Sequence, residues 1–356
     1  MILYGLLRSL RPPGGAVARL IPAGIATVLA VLLVAVAAAP AAAQPFLKFS
    51  LETRVDSQAV PILLALDRGY LKAEGLDVTI DPATGAQEVL SRVASGTYDF
   101  GLVDINALIR WRDQNPGIAM PAVFVIYNRA PFAVLARRSR EIAAPKDLDG
   151  KRIGASVADG SLANLRLFAR LNEVDPARLR VDAVALPVRE PMVASGQVDA
   201  ISATTFTAVD LAARGVPAAD IVVLPMADYG VVLYGQAIVA GPRLVAERGD
   251  TVRAVLRGVL RGLRDTVADP ARAIEAVARR IDPQQTAREL ERLRMAVRDN
   301  IVTAEVRENG FGAVDMERLA RSIDQLALGQ EFRTKPRPAD VFDPAFLPPR
   351  ADRLPR

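Results

Sequence analysis

The sequence predicts an α/β protein with two similar lobes, a ligand cleft between them and a helical C-terminal region. A short phrase occurs twice, as VASGTYDFGLVD from Val93 and as VASGQVDAISAT from Val193. Strand-like and helix-like stretches alternate around each copy, and after Pro242 the pattern becomes almost wholly helical. The repeat is far longer than the roughly 20–50 residues of solenoid repeats, so we interpret it as two related lobes.

The first lobe is predicted from a β-α-β-α-β order. Apolar runs predict the strands FLKFSLE, LDVTI and DFGLV. Apolar residues at helical spacing predict the helices SQAVPILLALDRGYLKAEG and AQEVLSRVASG. We expect these helices to end at Gly75 and Gly96, because glycine adopts the left-handed conformation that stops a helix. A helix with the single tryptophan, Trp111, follows, and two apolar strands, AVFVIYN and FAVLARR, are then expected to cross between the lobes.

The second lobe repeats this order. We expect strands at DLDGKRIGAS, RVDAVAL, DAISA and DIVVLP, and helices at LANLRLFARL, PMVASG and TAVDLAARG. Gly196 is the expected helix stop, and Asp99 and Asp199 are expected to be structural turn residues. From YGVVLYGQAIVA the chain is expected to return to the first lobe. The proline-rich tail has no pattern, so we expect it to wrap around the fold or to dangle.

The first 43 residues predict an export signal. Three arginines precede the apolar run IPAGIATVLAVLLVAVAAAP, and the AAA before Gln44 fits the small-residue rule for signal-peptidase cleavage. The alternative is a retained membrane anchor, since about 20 apolar residues can just span a bilayer. The alanine-rich composition and Pro40 favour cleavage. We therefore expect residues 1–43 to be a signal peptide that is cleaved near Ala43 and Gln44, and the mature chain to be periplasmic.

Charge and absent residue types exclude several classes of function. After Ala43 the chain has 42 basic and 40 acidic residues, a net charge of +2, which gives no basis for nucleic-acid binding. The sequence contains no His and no Cys. Catalysis by imidazole or thiolate, disulfides and nearly all zinc sites are therefore excluded. We expect a binding protein with no cofactor, no metal and no enzymatic activity, although an exported carboxylate-dependent enzyme is the alternative from another class.

Five segments in register carry a resemblance to a known family. They are PILLALDRGYLKAEGLDVTI, VASGTYDFGLVD, PKDLDGKRIGAS, SGQVDA and TVADPARAIEAV. In this order they resemble the periplasmic substrate-binding proteins of ABC importers in the SsuA/THI5-like (NMT1) family, which take nitrate, sulfonates, taurine and thiamine-pyrimidine precursors. The resemblance implies the two-lobed type II periplasmic binding protein fold, with residues 45–130 plus 236–356 as lobe 1 and residues 131–235 as lobe 2. The family's cytosolic enzymes need His and Cys, which disfavours that branch here.

The candidate ligand-binding residues follow predicted strands. In open α/β sheets a ligand binds beyond the carboxyl ends of the strands, near the N-termini of the next helices. This selects, in lobe 1, Ser57, Gln58, Thr84, Gly85, Ala86, Asp104 and Asn106, and in lobe 2, Asp159, Gly160, Ser161, Arg189, Glu190, Thr204 and Thr205. Tyr229 is added as the best aromatic wall. The alternative for Ser161, Thr84, Thr205 and Asp104 is that they only cap helices.

Arg189 and Glu190 decide the predicted charge of the ligand. A guanidinium near helix N-termini suits a carboxylate, a sulfonate or a phosphate. Glu190 could neutralise Arg189 or recognise an amino group. We expect a small organic anion, sulfonate- or carboxylate-like, with a pyrimidine, thiamine precursor or related heteroaromatic as the alternative.

Together these features predict the solute-binding component of an ABC transporter. It would act as a monomer, close its lobes on a small molecule, and deliver it to an inner-membrane ABC permease with its ATPase. A ligand sensor that signals to a membrane receptor is the remaining alternative.

Overall fold

Ten strands in the described part of the chain form two five-stranded sheets. The computed structural model describes residues 46–156 and 160–355, so the predicted signal peptide, its cleavage point and Asp159 lie outside the described residues. The strands are β1 (Phe46–Leu51), β2 (Asp77–Pro82), β3 (Phe100–Asp104), β4 (Ala122–Val125), β5 (Phe132–Arg137), β6 (Arg152–Ala155), β7 (Arg180–Ala183), β8 (Ala200–Thr204), β9 (Ile221–Pro225) and β10 (Gln236–Ala240).

The two sheets have the same layout. The first sheet has the order β2-β1-β3-β10-β4, and the second sheet has the order β7-β6-β8-β5-β9. In each sheet the first three strands are parallel and the last two are antiparallel to their neighbours. β3 and β4 are buried throughout, as expected of strands covered on both faces. The predicted α/β class is confirmed, and the lobe boundaries stay a prediction.

Fifteen α-helices of the described residues surround the sheets. They are α1 (Val60–Asp67), α2 (Tyr70–Ala73), α3 (Ala86–Ala94), α4 (Ile105–Gln114), α5 (Gly160–Leu171), α6 (Leu186–Ser195), α7 (Thr207–Ala213), α8 (Pro242–Glu247), α9 (Gly249–Ala268), α10 (Pro270–Val277), α11 (Thr286–Ala296), α12 (Ala304–Asn309), α13 (Met316–Gly329), α14 (Pro338–Val341) and α15 (Arg350–Arg353). In the described part of the chain, no helix combines the length and the apolar character needed to cross a membrane.

Two helices differ from the sequence prediction. The helix expected from Ser57 to Gly75 is broken into a 3₁₀ turn, α1 and α2, because Gly69 between α1 and α2 has φ = +71°. Helix α6 begins at Leu186 rather than at Pro191. A proline in the first turn of a helix lacks only an N–H that has no helical partner there, so Pro187 is compatible with this early start.

The repeated phrase has the same structure in both copies. Gly96 and Gly196 follow their helices with φ = +75° and +78°, which confirms them as helix stops. The Asp99 carboxylate accepts a 2.8 Å hydrogen bond from the Lys48 amide, at the start of the first sheet. Asp199 accepts a 2.9 Å bond from the Arg152 amide in the second sheet. Each aspartate therefore fixes a strand start, which is the structural role predicted for it.

Helices α1 and α9 cross at very short distance. A Cβ added at Gly262 of α9 would lie 2.2 Å from the Pro61 carbonyl oxygen and 2.9 Å from the Ala65 Cβ. Only glycine fits at this crossing. The contact joins the C-terminal helices to the core of the first sheet.

Two segments connect the sheets side by side. We call residues 126–131 and 231–235 the crossing segments. The Gly235 amide donates to the Tyr127 carbonyl at 2.9 Å, and the Ala130 amide donates to the Leu233 carbonyl at 3.1 Å. These bonds hold the two segments together between the sheets.

Helix α13 lies against the crossing segments. Its Arg318 donates to the Asn128 carbonyl at 2.9 Å, and its Ser322 donates to the Val232 carbonyl at 3.0 Å. The far end of α13 packs on α5, where a Cβ at Gly329 would lie 3.5 Å from the Leu167 Cβ. A helix from the predicted lobe 1 range therefore contacts a helix from the predicted lobe 2 range.

The proline-rich tail wraps around the fold. Thr334 donates its amide to the Asp113 carboxylate at 2.7 Å, and Arg112 donates to the Asp340 carbonyl at 3.1 Å. Phe342 is buried and forms a bridge with Ala122 of β4. Of the two expectations for the tail, wrapping is therefore confirmed.

Candidate functional site

Three adjoining cavities lie between the two sheets. The narrow cavity has a volume of about 110 Å³, the inner side cavity about 390 Å³ and the outer cavity about 610 Å³. The narrow cavity shares Glu52, Asp104 and Gly160 with the inner side cavity. It shares Gln58 and Thr204 with the outer cavity. We call the three together the cleft, and its outer part reaches the roughly 300–1,000 Å³ of small-molecule pockets.

The cleft lies where strands of both sheets end. Asp104 is the last residue of β3, and Glu52 directly follows β1. Thr204 is the last residue of β8 in the second sheet. Because ligands of α/β sheets bind beyond the carboxyl ends of strands, this position is the one expected for a binding site.

Most of the predicted site residues contribute to the cleft wall. From the predicted lobe 1, these are Ser57, Gln58, Thr84, Gly85, Ala86 and Asp104. From the predicted lobe 2, they are Gly160, Ser161, Arg189, Glu190 and Thr204. The fold therefore brings these residues together, and their role in ligand binding stays a prediction.

Three predicted residues lie outside the linings of these cavities. Asn106 is fully buried and donates to the Asp104 carboxylate and to the Tyr234 carbonyl, both at 2.7 Å. The Thr205 amide donates to the carbonyl of Pro131, in a crossing segment, at 2.8 Å. Tyr229 packs edge-on against Phe168, with ring centroids 5.9 Å apart. The side chains of Asn106 and Tyr229 thus have supporting or packing contacts away from the described cleft wall, whereas the buried Thr205 hydroxyl makes no hydrogen bond with the described residues and does not cap α7.

A chain of hydrogen bonds forms the base of the narrow cavity. The Glu52 carboxylate accepts from the Asp104 amide at 2.9 Å and from the Gln236 side chain at 3.0 Å. The same Gln236 nitrogen donates to the Gln58 side chain at 3.0 Å. Since a carboxylate only accepts, the Glu52 contact fixes which end of the Gln236 amide is the nitrogen. The base therefore presents mainly acceptor oxygens.

Asp104 is the most deeply buried acid of this base. Its Oδ1 accepts from the amide of Asn106 at 3.1 Å, so it caps α4 as the sequence analysis allowed. Its Oδ2 lies 3.7 Å from the Arg110 guanidinium. Burial raises the pKa of Asp104, and Arg110 and the bonds from Asn106 lower it in part. Burial also lowers the pKa of Arg110, while Asp104 and Glu52 raise it.

Apolar residues cover the sides of the narrow cavity. Leu51, Leu102, Pro131, Phe132 and Leu186 line it. Phe132 is the first residue of β5 and pairs with Thr204 in the second sheet. The narrow cavity thus combines apolar residues, one of them aromatic, with a few polar groups, as small-molecule sites do.

An ion-pair cluster lines the outer cavity. Glu289 of α11 is fully buried and accepts from Arg54 at 3.0 Å, from Arg292 at 2.5 Å and from the Ser57 amide at 3.0 Å. Arg292 also pairs with Asp210 of α7. Helix α11 is thereby joined both to the loop after β1 and to a helix of the second sheet.

Asp56 stands beside this cluster and caps the 3₁₀ turn through the Gln58 amide. Burial, and then the Glu289 charge, raise the pKa of Asp56 to about 6. The amide bond from Gln58 and the Arg54 and Arg292 charges lower it in part. Asp56 therefore titrates in the folded protein well above the range of an ordinary aspartate.

Arg189 and Glu190 pair with each other inside helix α6. They were expected in a loop after a strand, but α6 begins at Leu186, so both lie within the helix. Arg189 Nε and Nη2 donate to Glu190 Oε1 at 3.0 and 2.8 Å, and Nη1 donates to the Ser202 carbonyl at 3.2 Å. Of the alternatives weighed for the pair, the structure has the one in which Glu190 neutralises Arg189.

Thr84, just before α3, is bound to Glu88 in the first turn of that helix. The Thr84 amide and hydroxyl donate to the Glu88 carboxylate at 2.8 and 2.6 Å. These bonds lower the pKa of Glu88. Gly85, at the helix N-cap, has φ = +149°, a backbone conformation that favours glycine. Thr84 therefore precedes the N-cap and binds Glu88 without capping the helix amides, so the capping alternative is not the one found for it, and it lines the cleft.

Several residues of the cleft were missed by the sequence analysis. Glu52 follows β1 directly and was within reach of the rule on strand ends. Arg110 lies on α4, which begins directly after Asp104. Gln236, Glu289 and Arg292 lie on elements that join the cleft only through long-range packing. No local sequence signal marks them.

The charges along the cleft wall are nearly balanced. Among the described lining residues seven are acidic and six are basic: Glu52, Asp56, Glu88, Asp104, Glu190, Asp210 and Glu289 against Arg54, Arg110, Arg189, Arg214, Arg288 and Arg292. This balance gives the wall no positive excess that would concentrate anions. The residues that the structure describes contain no cluster of metal-ligating side chains.

Comparisons with known proteins agree with this geometry. A sequence model of the family described as "NMT1/THI5 like" matches residues 56–273. Riboflavin-binding protein RibY of Chloroflexus aurantiacus is 28% identical over 222 residues, which cover 61% of each chain. A 4-amino-5-hydroxymethyl-2-methylpyrimidine phosphate synthase of Schizosaccharomyces pombe is 24% identical over 220 residues, which cover 59% of this chain and 62% of that protein. The match spans about three fifths of the length of these curated relatives.

A solved structure has the same architecture. The periplasmic aliphatic sulphonate binding protein SsuA from Escherichia coli superposes with a TM-score of 0.64 at 14% identity, over 80% of this chain and 86% of that chain. At this identity the likeness shows a shared fold and no more. It confirms the predicted two-lobed fold of periplasmic binding proteins.

Proposed function

This chain belongs to the NMT1/THI5-like family, and from that premise we propose that it is the periplasmic solute-binding component of an ABC importer. The observation that carries the proposal is the cleft, whose wall combines residues after strands of both sheets. Two similar proteins are binding proteins by name: RibY for riboflavin and SsuA for aliphatic sulphonates. A small molecule held between two lobes is the arrangement we infer here.

Binding is proposed to close the cleft by rotation at the crossing segments. A ligand that contacts both walls stabilises the closed population by its differential affinity for that state. The bonds between Gly235 and Tyr127 and between Ala130 and Leu233 keep the two segments in register during such a rotation. The closed form would be presented to an inner-membrane permease with its ATPase, and the protein would act as a monomer.

The ligand class that fits best is a flat nitrogen heteroaromatic of the pyrimidine or flavin kind. The first expectation, a small organic anion, depended on Arg189, which here pairs with Glu190 and the Ser202 carbonyl. The wall has no positive excess, and the base includes the buried acceptor Asp104 Oδ2. The names of RibY and of the pyrimidine phosphate synthase point to such rings.

We propose binding rather than catalysis. Some relatives are named as synthases. This sequence has no His and no Cys to serve as an imidazole base or a thiolate nucleophile.

Export also belongs to the proposal, and the measurement that tests it is the mass of the mature protein. We expect a start at or within a few residues of Gln44, and a mature chain that keeps residues 1–43 would contradict export with cleavage.

Calorimetry with a ligand panel tests the function. The panel is riboflavin, 4-amino-5-hydroxymethyl-2-methylpyrimidine, an aliphatic sulfonate and nitrate. We expect one-to-one binding of a heteroaromatic, its recovery unchanged by chromatography, and a smaller radius of gyration in small-angle scattering when it is bound. Turnover of the bound compound would contradict the binding role. If only the sulfonate binds, a small organic anion becomes the better-supported ligand class.

A further inference from the structure

The Asp104 carboxylate has a buried oxygen in the cleft that lacks a hydrogen bond within the described part of the chain. Asp104 is 5% exposed, and its Oδ1 accepts from the backbone and the side chain of Asn106 at 3.1 and 2.7 Å. Its Oδ2 accepts no hydrogen bond from the described residues, and the nearby Arg110 guanidinium stays at 3.7 Å. Buried polar atoms without a partner are rare, because each costs roughly 1–3 kcal/mol. This oxygen therefore requires an explanation.

This oxygen, Asp104 Oδ2, lies close to the opposite wall of the narrow cavity. A Cβ added at Gly160, at the start of α5, would lie 2.8 Å from Asp104 Oδ2. The same point lies 3.1 Å from the tip of the Phe132 ring. The acceptor, the ring and the helix start thus lie close together at one point of the narrow cavity, where only glycine fits at position 160.

A second acceptor borders the same cavity. Gln236 donates through its nitrogen to Glu52 and Gln58, and its Oε1 is buried without a hydrogen-bond partner among the described residues. The buried Arg110 Nη1, beside the inner side cavity, has no acceptor in the described ranges of the chain, so one acceptor atom on the ligand also fits. Two acceptors without donors at the base of the narrow cavity call for a molecule that brings donors as well. A sulfonate, a nitrate or a carboxylate has only acceptor oxygens and would leave both atoms unsatisfied.

We propose that Asp104 determines ligand specificity by accepting a hydrogen bond from an amino group or a ring N–H of a heteroaromatic that lies against Phe132. This inference rests on the proposed function, since it assigns a recognition contact within that site. Asn106 acts as a positioning residue, because its amide and its side chain hold Oδ1 and so direct Oδ2 into the cavity. A site of this kind discriminates strongly against analogues that lack the donor, since the buried acceptor then stays unpaired.

The test compares a ligand with its alkylated analogue. The probes are 4-amino-2-methylpyrimidine and its 4-dimethylamino derivative, with riboflavin and its N3-methyl derivative as the second pair. We expect the wild-type protein to bind the N–H member of at least one pair about 100-fold more tightly than the alkylated member. This comparison needs no variant, so it stays decisive if a variant fails to fold.

A conservative variant completes the test. Asp104→Asn retains an oxygen to cap α4 and places an amide nitrogen where Oδ2 accepts, so we expect binding of the N–H probe to fall about 100-fold. Asp269→Asn is the matched control, because Asp269 also caps a helix with its carboxylate but lies outside the described cleft. Its affinity should equal that of the wild type, and melting curves should show that both variants fold.

The outcomes separate this inference from the proposed function. If the wild type binds both members of each pair equally and Asp104→Asn binds like the wild type, the role of Asp104 is overturned while the solute-binding function stands. If the wild type binds only sulfonate or nitrate, the proposed ligand class is overturned together with it.

Discussion

Replacing Glu289 with glutamine tests whether the ion-pair cluster holds the outer cleft together. The Glu289 side chain is 0% exposed and accepts three hydrogen bonds, from Arg54, Arg292 and the Ser57 amide. Glutamine keeps the size but offers one acceptor oxygen and turns a donor towards cationic or N–H groups. Breaking a buried pair costs about 3–5 kcal/mol. We expect a loss near the lower limit, about 3 kcal/mol, because Arg292 keeps Asp210 as a partner.

Urea unfolding measures this loss. Trp111 is the single tryptophan and is buried, so its fluorescence and the circular dichroism signal report unfolding from different parts of the molecule. Coincident transitions with an unchanged m-value would license the free-energy difference. Because Ser57 belongs to the cleft wall, ligand affinity should fall together with stability.

The same helix provides the control. Glu291 pairs with Arg294 at 2.6 Å, but both side chains are about half exposed, at 55% and 50%. Exposed pairs are worth about 0.2–1 kcal/mol, so Glu291→Gln should cost less than about 1 kcal/mol. If Glu289→Gln costs no more than Glu291→Gln, the cluster does not stabilise the fold and the reasoning fails.

Three further changes follow from contacts described above. Gly262→Ala should lower the free energy of unfolding by about 1–3 kcal/mol or more in urea titrations, since the new methyl meets the rigid Pro61 carbonyl; an unchanged midpoint would contradict the close crossing. The pKa of Asp56 is raised to about 6 in the folded protein, so its charge lowers stability as the pH rises from about 4 to 6. Asp56→Asn should remove this loss, at most about 3 kcal/mol, whereas parallel stability–pH curves would refute it. A double-mutant cycle on Arg292→Met and Asp210→Asn should give a coupling of about 0.5–3 kcal/mol; strict additivity would show that the pair does not couple α11 to α7.

The alternation of strands and helices could be predicted because it depends on local patterns. Apolar periodicity marks the strands, and the glycines at 96 and 196 need only their own backbone conformation to stop a helix. The start of α6 was missed because proline usually begins or interrupts a helix, so the prediction began at Pro191, whereas Pro187 lies in the first turn and Pro191 lies inside the helix. Because the helix begins early, Arg189 lies within it and not in the predicted loop, and its guanidinium pairs with the Glu190 carboxylate.

The chemistry of the cleft was less accessible from sequence. Asp104 was found because it ends a strand, but its open oxygen depends on Asn106, Arg110 and the distant Gly160. Gln236 and Glu289 lie 178 and 232 positions after the residues that they contact, Gln58 and Ser57. Pairings at such separations are set by tertiary packing, which no local window contains.

Helix α13 has a consequence for how two such lobes can move. If only the two crossing segments joined the lobes, one lobe could rotate about more than one axis relative to the other. Helix α13 adds a third tether, because it is bonded to both crossing segments and packs on α5. If the lobes rotate as proposed, this third connection restricts the rotation to one axis. Asp104 and Phe132 would then meet in the same alignment at every closure, so the site selects a ligand by geometry as well as by hydrogen bonding.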